Sequence, residues 1–165
     1  IFLYNHLMDK IFISIVIPLI IGFLGSAFTM NSVSTWYPEL NKPFFNPPSW
    51  IFGPVWTILY IMIGISIYLV WTRKENKKGK NKETKKKVFW ICGIQLFFNF
   101  IWSILFFGNK LIGLAFVDII FLLIAILFNI YFCYKISRNS AYLLIPYLLW
   151  VSFASIINFA IWILN

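Results

Sequence analysis

The stretch LIGLAFVDIIFLLIAILFNIYFCY, Leu111–Tyr134, decides the fold. It holds one charge, Asp118, and no proline. A helix that crosses about 30 Å of hydrocarbon needs about 20 consecutive apolar residues, and this run is long enough. Working outward, four more runs are long enough to span and carry no charge at all: Ile11–Met30, Ile51–Trp71, Val88–Phe107 and Ala141–Leu164. The expected fold is therefore all-α, a single membrane domain over 1–165 with five transmembrane helices. Those helices are predicted over about 11–30, 51–72, 88–107, 111–135 and 141–164. Pro18 and Pro146 are expected to kink the first and fifth without ending them, because neighbouring helices can satisfy the freed carbonyls.

Composition agrees. Of 165 residues, 61% are hydrophobic and the mean hydropathy is +0.85, whereas soluble domains run at about 45–50% apolar. The net charge of +9 does not point to nucleic acid. Most of the Lys and Arg fall in RKENKKGKNKETKKK, Arg73–Lys87, the composition of a solvated cytoplasmic loop that also favours anionic lipid headgroups. Lys10, Lys135 and Arg138 lie on the same side as that loop if all five runs span, and only Lys42 and Lys110 lie on the other. The asymmetry places the N-terminus inside and the C-terminus outside. Ile11–Met30 also admits a signal-peptide reading, since Lys10 precedes it and Gly25-Ser26-Ala27 resembles a cleavage site, although its apolar part is long for that. Cys92 and Cys133 sit in apolar runs and read as buried hydrophobes. His6 is the single histidine, so no His-based metal centre is expected.

The first loop, predicted over 31–50, contains the aromatics Trp36, Tyr37, Phe44, Phe45 and Trp50 and the prolines Pro38, Pro43, Pro47 and Pro48. That composition does not suit a solvated linker. Two readings fit it: an aromatic belt at the membrane interface, or a stiff lid over the helix ends. Beyond it, Pro54 falls in the first turn of the second helix. Trp56, Tyr60 and Gly64 then share one face, as do Gln95, Asn99 and Trp102 on the third helix and Trp150, Ala154 and Asn158 on the fifth. Amides in lipid must face the bundle and find partners, so these stripes serve either as glue between helices or as polar anchors in a cavity. Asp118, about 10 Å along its helix from Leu111, has no basic partner within the spans. It is expected to be protonated or bonded to Gln95, Asn99 or Ser103, in a structural or a ligand-binding role. Together these features describe an aromatic pocket for a flat apolar ligand, and the sequence carries no motif for hydrolysis, phosphate binding or metal binding. Gly22-x-x-x-Ser26 is a small-xxx-small pair, a device for helix packing or for a homodimer.

Four segments in register carry a resemblance. They are Trp36-Tyr37-Pro38-x-Leu40-x-Lys42-Pro43-x-x-x-Pro47-Pro48-x-x-x-Phe52-Gly53-Pro54-Val55-Trp56, Leu59-Tyr60-x-x-x-Gly64, Gln95-Leu96-x-x-Asn99-x-x-Trp102-Ser103-x-x-Phe106-Phe107, and Leu144-Ile145-Pro146-Tyr147-x-x-Trp150-x-x-Phe153-Ala154. The chain resembles the translocator protein family, also called TspO/MBR, tryptophan-rich sensory proteins or peripheral-type benzodiazepine receptors. The resemblance implies a five-helix membrane bundle, often dimeric, that binds porphyrins such as protoporphyrin IX as ligand, with no obligatory cofactor. It implies that Trp56 and Trp150 are pocket tryptophans, that Ala154 modulates affinity, and that Tyr37, Pro47 and Asn99 line the site. Some members degrade porphyrin in light, and the pair matching Trp56 and Trp150 would be the residues required. The bound ring is expected to place its propionates near Lys42 or polar groups at the lid. A sterol partner is not expected: the family's basic residue after the fifth helix is replaced here by Ile163-Leu164-Asn165, and only Leu127–Tyr131–Lys135 fits the loose pattern. A receptor or sensor in a bacterial cytoplasmic membrane is the expected function, with porphyrin degradation or tetrapyrrole transport as alternatives.

Overall fold

The computed structural model describes residues 2–74 and 80–165; residues 75–79, inside the basic loop expected over 73–87, lie outside the described residues. The helices are α1 Phe2–Ser34, α2 Phe52–Thr72, α3 Lys80–Ser103, α4 Ile112–Ile136, α5 Arg138–Leu143 and α6 Ile145–Leu164. Among the described residues there is no strand. Five segments are long and apolar enough to cross a membrane: Leu7–Ser34, Ser49–Thr72, Asn81–Gly108, Ile112–Ile136 and Arg138–Leu164. Their most apolar windows are only 17% to 39% buried within the protein. The remaining apolar surface would be untenable in water and is the lipid-facing surface of an integral membrane protein.

Helix ends depart from the hydropathy-based bounds where polar residues continue a helix. α1 starts well before Ile11 and runs past Met30 to Ser34, passing through Pro18 without a break. α3 begins at Lys80, inside the basic run. Lys and Glu are good helix formers, so the apolar span extends backwards through residues that hydropathy alone assigns to a loop. The fifth span differs in the other direction. It is interrupted at Leu144, between α5 and α6, and not merely kinked. Pro146 has no N–H to return to the preceding turn, so it takes the first turn of α6, where that N–H is not needed. α3 ends in a π-helical turn, Ile104–Gly108, a form common at functional sites.

Round the bundle the order is α1, α2, the α5–α6 span, α4 and α3, with α3 closing back on α1. α1 and α2 cross tightly at Gly64, where an added Cβ would lie 2.6 Å from the Ile15 Cα and 2.7 Å from the Ser14 carbonyl oxygen. α5 is tied to α2 by a reciprocal pair: Ser66 Oγ donates to Ser140 O (2.9 Å) and Ser140 Oγ donates to Ser66 O (3.0 Å). α3 is tied to α4 where Asn129 Nδ2 donates to Gln95 Oδ-equivalent amide oxygen, Oε1, at 3.1 Å. Inside lipid such bonds hold helices together where apolar contact alone does not discriminate protein from solvent.

Candidate ligand-binding site

At the end of the bundle that carries the first loop, α2 and α6 are bridged by aromatic side chains. Phe52 meets Trp150 edge-on at 6.3 Å, and Trp56 meets Tyr147 at 6.3 Å. The space between them, α1 and α3 is a cavity of about 450 Å³, within the range of small-molecule sites. Trp56 lies stacked on Tyr60 (centroids 5.7 Å, 28° between planes), and Trp102 on Phe106 (5.1 Å, 19°). These pairs present flat π surfaces to the interior.

The first loop contributes Tyr37 to the lining of this cavity. It runs through two 3₁₀ turns, Tyr37–Glu39 and Ser49–Ile51, and passes straight into α2. Tyr37, only 2% exposed, packs on Phe52, Phe106 and Phe107 at 6.1, 6.3 and 5.8 Å. Its phenol donates to Asn46 Oδ1 at 2.6 Å, and burial pushes its pKa up to about 12. Lys42 Nζ donates to the carbonyls of Tyr37, Pro38 and Leu40 at 2.8, 2.9 and 2.8 Å. The loop is also clasped to the end of α6: Asn41 N donates to Asn165 Oδ1 and Asn165 Nδ2 returns a bond to Asn41 O, each at 3.0 Å. The aromatics of the loop divide between two sides. Tyr37 is buried and lines the cavity, while Phe44 (100% exposed) and Trp50 (74% exposed) face outward.

Of the residues expected at a site, Tyr37, Trp56, Tyr60, Asn99, Trp102, Trp150 and Ala154 line the cavity together. Pro47 and Asp118 do not. Pro47 instead shapes the loop, its carbonyl accepting from Asn46 Nδ2 at 3.1 Å. Asp118 is on α4, which packs against α3 and α6 and contributes no lining residue. The amides expected as its partners are otherwise engaged, Gln95 with Asn129 and Asn99 with two phenols, and its Oδ2 is buried with no partner among the described residues. Lys42 is likewise not an open anchor for a propionate, because its ammonium is surrounded by loop carbonyls.

Sequence reasoning missed the α1 wall. Gly22, Gly25, Ser26 and Thr29 line the cavity, and their i, i+3, i+4, i+7 spacing of small residues was the available signal. Gly22 is needed against Tyr60: an added Cβ would lie 2.2 Å from the Tyr60 ring. That half of the small-xxx-small pair therefore works within the chain. Phe106 and Phe107 were also missed as a pair. The π turn brings both adjacent rings into the interior, and Ser32 Oγ donates to the Phe107 carbonyl at 2.7 Å.

Most polar atoms of the lining already have partners. Asn99 Oδ1 accepts from the Tyr60 hydroxyl, and Asn99 Nδ2 donates to the Tyr147 hydroxyl at 3.2 Å. Trp102 Nε1 donates to Asn158 Oδ1, and Asn158 Nδ2 to Ile112 O, both at 2.9 Å. Thr57 Oγ1 bonds its own helix at Gly53 O, 2.9 Å. Trp150 Nε1 is buried with no partner among the described residues. No acid, base or thiol is among the lining residues. The site offers flat aromatic faces and hydroxyl oxygens, which suits binding a flat apolar molecule and does not suit acid–base catalysis.

The model of the TspO/MBR family matches residues 14–163, nearly the whole chain and every wall of this cavity. The chain belongs to the TspO/MBR family. Relatives of this TspO/MBR chain include the tryptophan-rich protein TspO of Archaeoglobus fulgidus, 51% identical over 158 residues, covering 94% of this chain and 97% of that one. The tryptophan-rich protein TspO of Chlorobaculum tepidum is 41% identical over 151 residues, 89% of this chain and 90% of that one. The translocator protein of Homo sapiens is 35% identical over 140 residues, 85% of this chain and 80% of that one.

Proposed function

We propose that this TspO/MBR chain is a membrane receptor or sensor for porphyrins and related flat tetrapyrroles, bound beneath the first-loop lid. The observation that carries the reading is the cavity itself, walled by stacked indoles and phenols, with the Trp150 N–H left without a partner among the described residues. A porphyrin ring would lie against Trp56 and Trp150, and a ring nitrogen or propionate oxygen would accept from Trp150 Nε1. We place the protein in a cytoplasmic membrane with the N-terminus inside. Lys10, Arg73, Lys135 and Arg138 flank the inner ends of the spans, and Lys42 and Lys110 flank the lid end.

Titration of the purified full chain with protoporphyrin IX tests this. Saturable quenching of tryptophan fluorescence is the expected result, and retained affinity in a Trp56→Phe, Trp150→Phe double variant overturns the site. Trp150→Phe alone keeps an aromatic face and loses the donor, so its affinity should fall about fivefold. Photochemical breakdown of the bound ring is the second reading, favoured by the indoles of Trp56 and Trp150 on the same cavity. It predicts that illuminated porphyrin loses absorbance faster with protein than without, and equal rates rule it out.

A further inference from the structure

A second cavity, of about 430 Å³, lies on the same α1–α2–α3 seam but on the opposite side of the Gly64 crossing. Ile13, Ser14 and Ile17 of α1, Ile67 and Trp71 of α2 and Gly93 of α3 are among its walls. Two features distinguish this groove from ordinary lipid-facing surface. Ser14 is 2% exposed, and its Oγ has no partner among the described residues. A buried hydroxyl without a partner is costly in an apolar medium, and each such group calls for an explanation. At the mouth, Lys10 Nζ lies 5.6 Å from the centre of the Trp71 ring. Lys85 Nζ donates to the carbonyls of Trp71 (3.3 Å) and Arg73. The mouth is thus basic, and the mostly apolar walls hold the buried Ser14 hydroxyl.

We propose that this groove is a specific site for one anionic glycerolipid. Lys10 and Ser14 are one helical turn apart on one face of α1, about 6 Å along the axis. That spacing matches the step in a glycerolipid from the headgroup phosphate to the oxygens that join its chains to glycerol. The phosphate lies at Lys10, one such oxygen accepts from Ser14 Oγ, and a hydrocarbon chain runs inward along Ile17 and Ile67. Each feature of the groove has a counterpart in this occupant. A zwitterionic lipid lacks the net charge that the basic mouth selects, and free phosphate has nothing to place against the apolar walls. The site shares no residue with the cavity beneath the lid, so the proposal stands independently of the porphyrin reading.

The glycine at position 93 supplies the decisive variant. A Cβ there meets nothing within 4 Å, so Gly93→Leu starts its side chain in open space at the groove wall. The experiment is native mass spectrometry of the full chain released from bilayers of equal phosphatidylglycerol and phosphatidylcholine. The wild-type chain is expected to retain one phosphatidylglycerol in preference to phosphatidylcholine. Gly93→Leu should lower that retention about tenfold, and Lys10→Gln and Ser14→Ala about fivefold each. Helical circular dichroism checks the fold of every variant. Should Gly93→Leu fail to fold, the Lys10 and Ser14 variants decide. Equal retention of the two lipids, or unchanged retention in correctly folded variants, overturns the proposal.

Discussion

Three glycines show how a single missing Cβ acts at different places in one bundle. At Gly64 the obstructing atoms are backbone of α1, at 2.6 and 2.7 Å, which cannot move without separating two helices. At Gly22 the obstruction is the Tyr60 ring, a side chain held by Asn99 that would have to leave its partner and tilt its stack with Trp56. At Gly93 nothing obstructs. Alanine substitutions should therefore rank accordingly in thermal unfolding in detergent. Gly64→Ala should cost about 3 kcal/mol, Gly22→Ala about 1 kcal/mol, and Gly93→Ala less than about 0.5 kcal/mol. Gly22→Ala should also weaken protoporphyrin binding, because it moves a wall of the cavity, while Gly93→Ala leaves that binding unchanged. The sequence displays Gly22, Gly64 and Gly93 alike, as small residues in apolar helices. What separates them is the identity of the atom across the gap, which no local pattern records.

At the scale of the element, the first loop is held by side chains at both ends of the chain's path. Tyr37 and Lys42 fix its interior, and Asn41 with Asn165 fastens it to α6. Its docking should depend on pH with a defined sign. A free tyrosine titrates near pH 10, whereas burial raises Tyr37 to about 12. Between those values the undocked loop loses the phenolic proton and the docked loop keeps it, so docking weakens as pH rises. Its full contribution is present below pH 10. Limited proteolysis of the loop should accelerate from about pH 10 to 12, and Tyr37→Phe should abolish the part of that rise due to the phenol. Asn165→Ala should make the loop more susceptible already at neutral pH, since it removes two of the three bonds that tie Asn41 to the end of α6. Much of this element was legible beforehand. Aromatics and prolines in one loop excluded a solvated linker, yet they did not tell the lid from the belt. Tyr37 turns inward and Phe44 and Trp50 outward, a division set by the chain's path between α1 and α2 and not by residue type.

On the scale of the whole molecule, polar pairs join helices that are otherwise in contact through apolar surface. Gln95 with Asn129 joins α3 to α4, and Ser66 with Ser140 joins α2 to α5. Removing one member leaves the other unpaired inside the bundle. Asn129→Leu and Gln95→Leu should each destabilise the protein by about 1 kcal/mol, and the double variant by less than their sum. Calorimetric or denaturant unfolding of the four proteins measures that coupling. Additive effects would show that the two amides do not act as a pair.

The sequence by itself determined the class of the protein: five apolar spans, a basic side, a proline-stiffened aromatic loop, and stripes bringing Trp56, Tyr60, Asn99, Trp102, Trp150 and Ala154 to inward faces. It could do so because hydropathy and helical periodicity are local properties, and lipid leaves the backbone few alternatives to a helix. Only the tertiary structure decided which inward faces share a space. Asp118 is buried like the cavity residues, but α4 stands outside the wall. Gly22, Gly25, Ser26 and Thr29 complete the wall although they carry no aromatic or amide group to draw notice. The crossing at Gly64 divides one seam into two cavities, because a close approach of backbones depends on what faces the glycine from another helix.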